Sequence, residues 1–318
     1  MSHAMTQNSA NSAAFIEAEV YSQFMLDNLD DGFLPTQFYR NVSDFNSGST
    51  LNIKTIGTVA LQEVAEGTPL IYNPIDTGNV QLSISDYAGD AWAISDILRQ
   101  DGAQVEQLMA SRAMESTRAF QVDAESRFLR TSAQAVTDTN TINGFAHNYV
   151  ATGTNSTLIL ADIISMGLAF DKANVPTVGR VMVVDPVVAA TMQLFFTANY
   201  QANSSPKFTS MLESSFVNEG RFVTNLYGFD IYTSNRLHIV EAGETSEGST
   251  GQVANIAMCV ADDNCKPLMY ASRQAPMAET SRNKDLRQDE FIVTARDGFG
   301  IQRNDTIGVI FTSATATS

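Results

Sequence analysis

The chain has 318 residues, 44% hydrophobic and only 17% charged, with nineteen Lys and Arg against thirty-five Asp and Glu for a formal charge of -16. The apolar share is ample for a core and excludes a disordered chain. The acidity excludes a protein that coats nucleic acid or an anionic membrane surface through clustered cations, and no apolar run is long enough to span a bilayer.

Residues 1–14 are small and polar, as at a terminus that orders only against a partner. Phe15, Ile16, Val20, Phe24, Met25 and Leu29 recur at steps of three and four, which predicts an amphipathic helix ending near Asp30-Asp31-Gly32. Residues 49–61 are rich in Thr, Ile and Val and predict a strand. An acidic turn at 62–69, an interrupted strand at 70–75 and a turn at Asp76-Thr77-Gly78 follow. Val80, Leu82 and Ile84 then alternate as a half-exposed strand. Such a β-arm carries too few apolar side chains to pack a core alone.

Residues 94–130 hold the strongest periodic signal. Ile94, Ile97, Leu98, Leu108, Phe120 and Phe128 belong to one stripe at helical spacing, and Arg112, Glu115, Arg118, Asp123 and Arg127 fill another face. A helix from about Asp101 to Arg130, its apolar stripe buried, is roughly 45 Å long at 1.5 Å per residue. Residues 136–157 predict a polar loop containing His147. Leu158–Ala173 predicts a helix and Arg180–Val184 a buried strand. Asp185-Pro186 caps a further helix through Phe196, with proline at its first position. Polar chain at 197–207 precedes strands at 228–234, 254–260, 267–270, 291–295 and 306–312, with Gly298 and Gly300 read as a turn. Residues 1–95 hold eleven acids and two bases, so the negative charge concentrates where the chain is least able to fold alone.

The residues of chemistry are sparse. His3, His147 and His238 fall in no metal-binding spacing, and Cys259 and Cys265 predict two small reduced thiols beside a strand, with a bridge between them left open. A zinc site from His238, Cys259 and Cys265 matches no ligand knuckle. No phosphate loop, dinucleotide fingerprint or nucleophile elbow is present. Acid pairs such as Asp30-Asp31 and Asp262-Asp263 sit in turn contexts, where carboxylates are solvated caps. No catalytic, cofactor-binding or metal-binding residue is assigned. The start lacks the pattern of a secretory signal, so the protein is expected to be intracellular when made and its Asn-x-Ser/Thr matches carry no meaning.

The order of elements resembles the major capsid protein of tailed bacteriophages, with the HK97-type fold. The resemblance spans about residues 15–312. It is carried by the approach to the long helix over 85–101 and by its end, Asp123-Ala-Glu-Ser-Arg-Phe-Leu-Arg130. It continues in Arg180-Val-Met-Val-Val-Asp-Pro186, Gly228-Phe-Asp-Ile-Tyr-Thr-Ser-Asn-Arg-Leu237 and Thr294-Ala-Arg-Asp-Gly-Phe-Gly-Ile-Gln-Arg303.

That resemblance implies an α+β chain. Residues 1–48 form an N-terminal arm and 49–85 an extended β-hairpin loop lying over a neighbour. Residues 86–154 form a peripheral domain with a spine helix at 95–130, 155–265 an axial domain, and 266–318 the return to the peripheral domain with the closing strands. It implies a structural, non-enzymatic coat protein that assembles as hexamers and pentamers into an icosahedral shell around double-stranded DNA. Portal and scaffolding proteins are its implied partners, with a decoration protein in some relatives. The DNA is enclosed without sequence-specific binding, no membrane is involved, and the shell is built in the host cytoplasm. Some relatives crosslink a loop lysine to a neighbour's asparagine; here Lys54 is the only lysine before residue 172 and is placed at the hairpin base, so no crosslink is expected. A tail or fibre component is the competing structural reading, and an enzyme with a concealed site the third.

Overall fold

The computed structural model describes residues 33–313 apart from 35, 43–47, 49, 58, 60, 65, 68, 70, 71, 73, 76, 102–104, 136–140, 193–221, 245 and 246. The predicted helix over 15–29, the tail with His3, the Asp30-Asp31 turn and the polar stretch at 197–207 lie outside the described residues. The elements in chain order are β1 (Arg40–Asn41), β2 (Thr50–Ile56), β3 (Thr77–Ser83), β4 (Asp86–Ser95), α1 (Asp96–Asp101) and α2 (Val105–Gln134). Next come β5 (Thr141–Ile142), β6 (Phe145–Ala146), β7 (Asn148–Val150), α3 (Leu160–Lys172), β8 (Arg180–Val184), β9 (Phe222–Leu226) and β10 (Phe229–Thr233). The chain closes through β11 (Gln252–Cys259), β12 (Leu268–Asn283), β13 (Gln288–Ile301) and β14 (Ile307–Ser313).

Two sheets organise the molecule. One is six-stranded in the order β7-β14-β11-β8-β10-β9, the other four-stranded in the order β1-β12-β13-β4. In the six-stranded sheet, apolar residues stand on both faces because both are covered. Val181 and Val183 of β8, Ile256 and Met258 of β11, and Val309 and Phe311 of β14 join a cluster with Phe128 and Leu129 at the end of α2. The alternate residues Met182, Val184, Ala257, Cys259 and Ile310 join a second cluster with Ile163, Met166 and Phe170 of α3. Every residue of β8 is buried, Arg180 included, as its almost purely apolar run predicts for the four residues that follow Arg180.

Local sequence fixes the ends of these elements. Asp162 in the first turn of α3 accepts the amide of Ile159 at 3.0 Å, satisfying a donor the helix start would otherwise leave free. Asp185 accepts the Val187 amide at 2.9 Å and starts the expected helix, described over 186–192. Arg180, buried at the start of β8, reaches Asp171 at 2.6 Å and the Val175 carbonyl at 2.9 Å, tying the end of α3 to the sheet.

The four-stranded sheet departs from expectation in length. The strands predicted at 267–270 and 291–295 are pieces of one long hairpin, β12–β13, whose pairing shifts register between Ser272 and Gln274 and again before Met277. Those bulges break the alternation that pattern-reading depends on. Trp92 of β4 stacks on Phe291 of β13 at 4.2 Å. Ahead of the sheet, Leu34 and Phe38 are buried in the cluster beside Leu268, and β1 adds in parallel to β12.

Four further expectations are corrected. Residues 72, 74 and 75 are not strand, and Thr77 and Gly78 lie inside β3, because the ladder to β2 extends through Ile56–Thr77. The loop at 136–157 holds a short β5–β6 hairpin and β7, which pairs with β14 and takes His147 into the interior. Lys54 is not at the hairpin base but pairs with Asn79 near the far end of the ladder. Gly298 and Gly300 are strand residues of β13, not a turn. A Cβ on Gly298 would stand 2.7 Å from the Ser83 carbonyl oxygen and 3.1 Å from the Ile84 Cα, so the missing side chains let the hairpin root, with Leu82 and Ile84 buried, settle on the sheet. Backbone cannot yield there as a flexible side chain would. Gly298→Ala should therefore cost about 1–3 kcal/mol in chemical denaturation; a change below about 0.5 kcal/mol would refute the close approach.

Candidate functional site

The long helix is the element on which sequence and structure differ most usefully. It is described as α1, Asp96–Asp101, and then α2, Val105–Gln134, extending past the expected end at Arg130. Its expected apolar stripe is not buried over the first half. Ile97 is 73% exposed, Leu98 46% and Leu108 41%. The charged positions face the four-stranded sheet instead. Arg112 pairs with Asp90 of β4 at 2.8 Å, and Ser116, fully buried, donates to the same carboxylate.

One turn-multiple further, Arg127 meets three acids. It lies 2.6 Å from Asp297 of β13, 3.2 Å from Asp86 of β4 and 2.9 Å from Asp123 on its own helix. Burial works against its charge, but hydrogen bonds and the negative charges of Asp297, Asp123 and Asp86 more than offset this and raise its pKa. Tyr39 and Tyr270 line the same region. Burial raises both hydroxyls and the Asp297 charge adds to it, taking Tyr270 up to about 12. Among the described residues of the helix, fully buried apolar side chains begin at Phe128.

A second polar junction fixes the helix to the chain ahead of it and to the six-stranded sheet. Glu125, buried, accepts from Ser234 at 3.0 Å, Arg236 at 3.0 Å and the Leu34 amide at 3.4 Å. Arg236 also stands over the Phe33 ring at 5.1 Å. A cavity of about 160 Å³ lies beside this junction, lined by Phe33, Leu34, Tyr39, Glu125, Phe128 and Phe299 among others. Its walls are mostly apolar, and it gathers no set of reacting groups.

At the other end, Arg282 of β12 bridges Asp96 at 2.7 Å and Asp289 at 2.9 Å, and Arg99 reaches Asp289 at 2.7 Å. The Arg282 hydrogen bond draws the Asp96 carboxyl below its usual range. The two arginines are exposed and the pairs therefore screened, so they set alignment more than stability.

The remaining singled-out residues do not converge. His238 binds Glu244 at 2.7 Å, apart from the cysteines. The Glu241 amide first, and His238 next, hold the Glu244 carboxyl below its usual value. Cys259 is buried and Cys265 half-buried, both free thiols. Asp262 and Asp263 sit in a turn, as expected. Among the described residues no group of three or more His, Cys, Asp or Glu is placed to hold a metal, and no helix is long and apolar enough to cross a membrane.

The surface offers instead a set of large apolar side chains that the subunit leaves open. At the end of the β2–β3 ladder Ile56 is exposed, and beyond it Leu61 and Tyr72 are each 97% exposed, with Val59, Val64 and Ile75 also exposed. Sequence reasoning found the hairpin through its strand composition. It missed the open face of the long helix, because periodicity shows that a stripe exists but not what covers it.

A profile described as Phage capsid protein matches residues 79–311, most of the chain. The chain belongs to this phage capsid family. It is a major capsid protein, built to form a shell, and its fold is the HK97 type. Similar solved structures include one titled Mycobacterium phage Che8, at 17% identity and a TM-score of 0.65, covering 93% of this chain and 97% of that one. The asymmetric unit of the bacteriophage PhiM1 mature capsid aligns at 13% identity and a TM-score of 0.68, covering 99% and 97%. The capsid of Ralstonia phage GP4 aligns at 10% identity and a TM-score of 0.66, covering 99% and 100%. No curated protein matches the chain in sequence.

Two measurements test the energetics of the helix. Asp297→Ala should cost about 1.5–3 kcal/mol, the loss of a charged hydrogen bond, because Arg127 keeps Asp86 and Asp123. Leu108→Ala should cost under about 0.5 kcal/mol in the isolated subunit, as an open surface position does. A Leu108→Ala loss larger than that of Asp297→Ala would reverse the assignment of the two faces.

His147 sets a pH dependence. Its Nδ1 lies 3.1 Å from the Ile307 carbonyl, and burial lowers its pKa below 6.5 despite that bond. The unfolded chain takes up this proton as pH falls below about 6.5, while the native state resists it. This contribution to stability is therefore full above that pH and is lost as pH falls through the window beneath it. Urea midpoints at pH 7 and pH 5.5 should show a smaller drop in His147→Gln than in the parent, and an equal drop would exclude His147 as the source.

Proposed function

We propose that this chain closes, as hexamers and pentamers, into an icosahedral shell enclosing double-stranded DNA of a tailed phage. The role is structural rather than enzymatic. The observation that carries the reading is the match to the phage capsid family over 79–311, set beside a subunit whose hairpin and long-helix face leave apolar side chains open. Burying one such side chain is worth about 1.5–3 kcal/mol, so assembly supplies what the subunit lacks.

The proposed division has an arm at 1–48, an extended loop at 49–85, a peripheral unit around α2 and the four-stranded sheet, and an axial unit around the six-stranded sheet. The peripheral unit takes 86–154 and the return from 266, and the axial unit takes 155–265. Within those ranges the short β7 and closing β14 hydrogen-bond to the six-stranded sheet and join the two units. The extended loop acts in trans, lying on a neighbour. Scaffolding and portal proteins are its partners, and a decoration protein is an optional addition. Assembly takes place in the host cytoplasm. With a charge of -16 per chain, the wall repels packaged phosphates and leaves the DNA free to enter and leave.

Replacing residues 57–76 by a short Gly-Ser linker keeps the whole β2–β3 ladder and removes its apolar tip. The variant should retain the parent's circular dichroism and sediment as monomers or small capsomers, where the parent forms particles visible by negative stain. Closed shells from the variant would overturn the trans-acting role. Rods in place of shells from the parent would favour a tail or fibre component.

A further inference from the structure

The two cysteines are the only ones in the chain, and the fold brings them together. Cys259 ends β11 and is buried in the cluster under α3, and Cys265, half-buried, packs against that same cluster. The chain between them folds back on itself. The Cys265 and Lys266 amides both donate to the Asp262 carbonyl, at 2.8 and 3.1 Å. The Gln302 side chain donates to the Asp263 carbonyl at 3.1 Å and holds the turn from outside.

The near side is held as firmly. The Val260 amide donates to the Gly179 carbonyl at 2.8 Å. A Cβ on Gly179, whose φ is +71°, would lie 2.8 Å from the Ala261 Cα, so glycine is what allows the turn to seat. Cys259 Sγ stands 3.8 and 3.9 Å from the Val178 and Pro176 carbonyls. Cys265 is near enough to act on the Cys259 thiol by charge and hydrogen bond. Neither thiol serves the shell-forming surfaces described above.

We propose that Cys259 and Cys265 are a reversible disulfide site that ties the end of β11 to the entrance of β12 when the protein passes from a reducing to an oxidising medium. The oxidant is a small-molecule disulfide. Cys265, the accessible thiol, gives up its proton and attacks one sulfur of the oxidant. A mixed disulfide forms and one thiolate leaves, taking up a proton. Cys259 then gives up its proton and attacks the Cys265 sulfur, expelling the second half of the oxidant as thiol. Two protein thiols are oxidised, and one disulfide is reduced to two thiols. Burial raises the Cys259 pKa, which suits the second step better than the first, because a buried neutral thiol is a poor opening nucleophile. The bond restrains a passage of the chain from the six-stranded to the four-stranded sheet.

The test uses the full chain in native buffer, treated with oxidised glutathione, then unfolded and alkylated. Trypsin leaves both cysteines in one peptide, residues 237–273, since Lys266 precedes proline. The expected result is loss of both alkylatable thiols, a peptide lighter by two hydrogens, no retained glutathione, a monomer on a non-reducing gel, and full reversal by dithiothreitol. Cys259→Ser should stop at one glutathione on Cys265. Retained glutathione in the parent with Cys259 still alkylated, disulfide-linked dimers, or two untouched thiols would each overturn the site. A Cys259→Ser chain that takes up no glutathione would overturn the order of attack.

Discussion

The Arg127 guanidinium, held among Asp297, Asp86 and Asp123, is the constraint around which the subunit is arranged. A thirty-residue helix lying on a sheet ordinarily faces it with apolar side chains, since burial of that stripe is the chief source of helix stability in proteins. Here the contact ahead of Phe128 is ionic and hydrogen-bonded, through Arg112, Ser116 and Arg127. Ion pairs fix direction and spacing while contributing modest net stability. The consequence is geometric. With charge turned toward the sheet, Ile97, Leu98 and Leu108 are left at the surface, available to neighbouring copies.

Stability has to come from elsewhere, and the six-stranded sheet supplies it. Its alternating residues bury two separate clusters, one under the end of α2 and one under α3. The subunit thus pairs a dense, dry half with a polar, oriented half. Leu34 and Phe38 join them, seated between the helix end and the sheet, with the Leu34 amide on Glu125. That division suits a shell protein, in which one part must hold its shape while another presents surface to be covered.

Elements with uniform chemistry were legible from sequence. Arg180–Val184 reads as a strand covered on both faces, and Asp185-Pro186 as the start of a helix, and both are found. The long helix was legible in extent but not in orientation. Its sequence carries both an apolar stripe and a charged one, and the choice between them was made by Asp86 and Asp90 of the strand just ahead of it and by Asp297, which arrives from a strand distant in the chain. The length of β12–β13 was hidden by bulges that interrupt the period of two. Gly298 and Gly300 have the composition of a turn, and only the approach of Ser83 and Ile84 reveals why strand residues there lack side chains. The assembly surface was half visible: strand composition disclosed the hairpin, while the open helix face depended on partners that sequence periodicity does not name.

The irregular pairing of β12 bears on fidelity. Beyond Tyr270, where the two-residue β1 ends its pairing, β12 runs on through Pro276 to Asn283 as the outer strand of its sheet among the described residues. A long straight edge would recruit any extended segment of any neighbour, in any register, and at the crowding of an assembling shell such errors would be trapped. The two register breaks, the missing amide of Pro276 and the charges of Arg273 and Arg282 spoil that template. Promiscuous strand addition is thereby suppressed, and the selection of a neighbour is left to side-chain surfaces, which can reject a misplaced copy and release it.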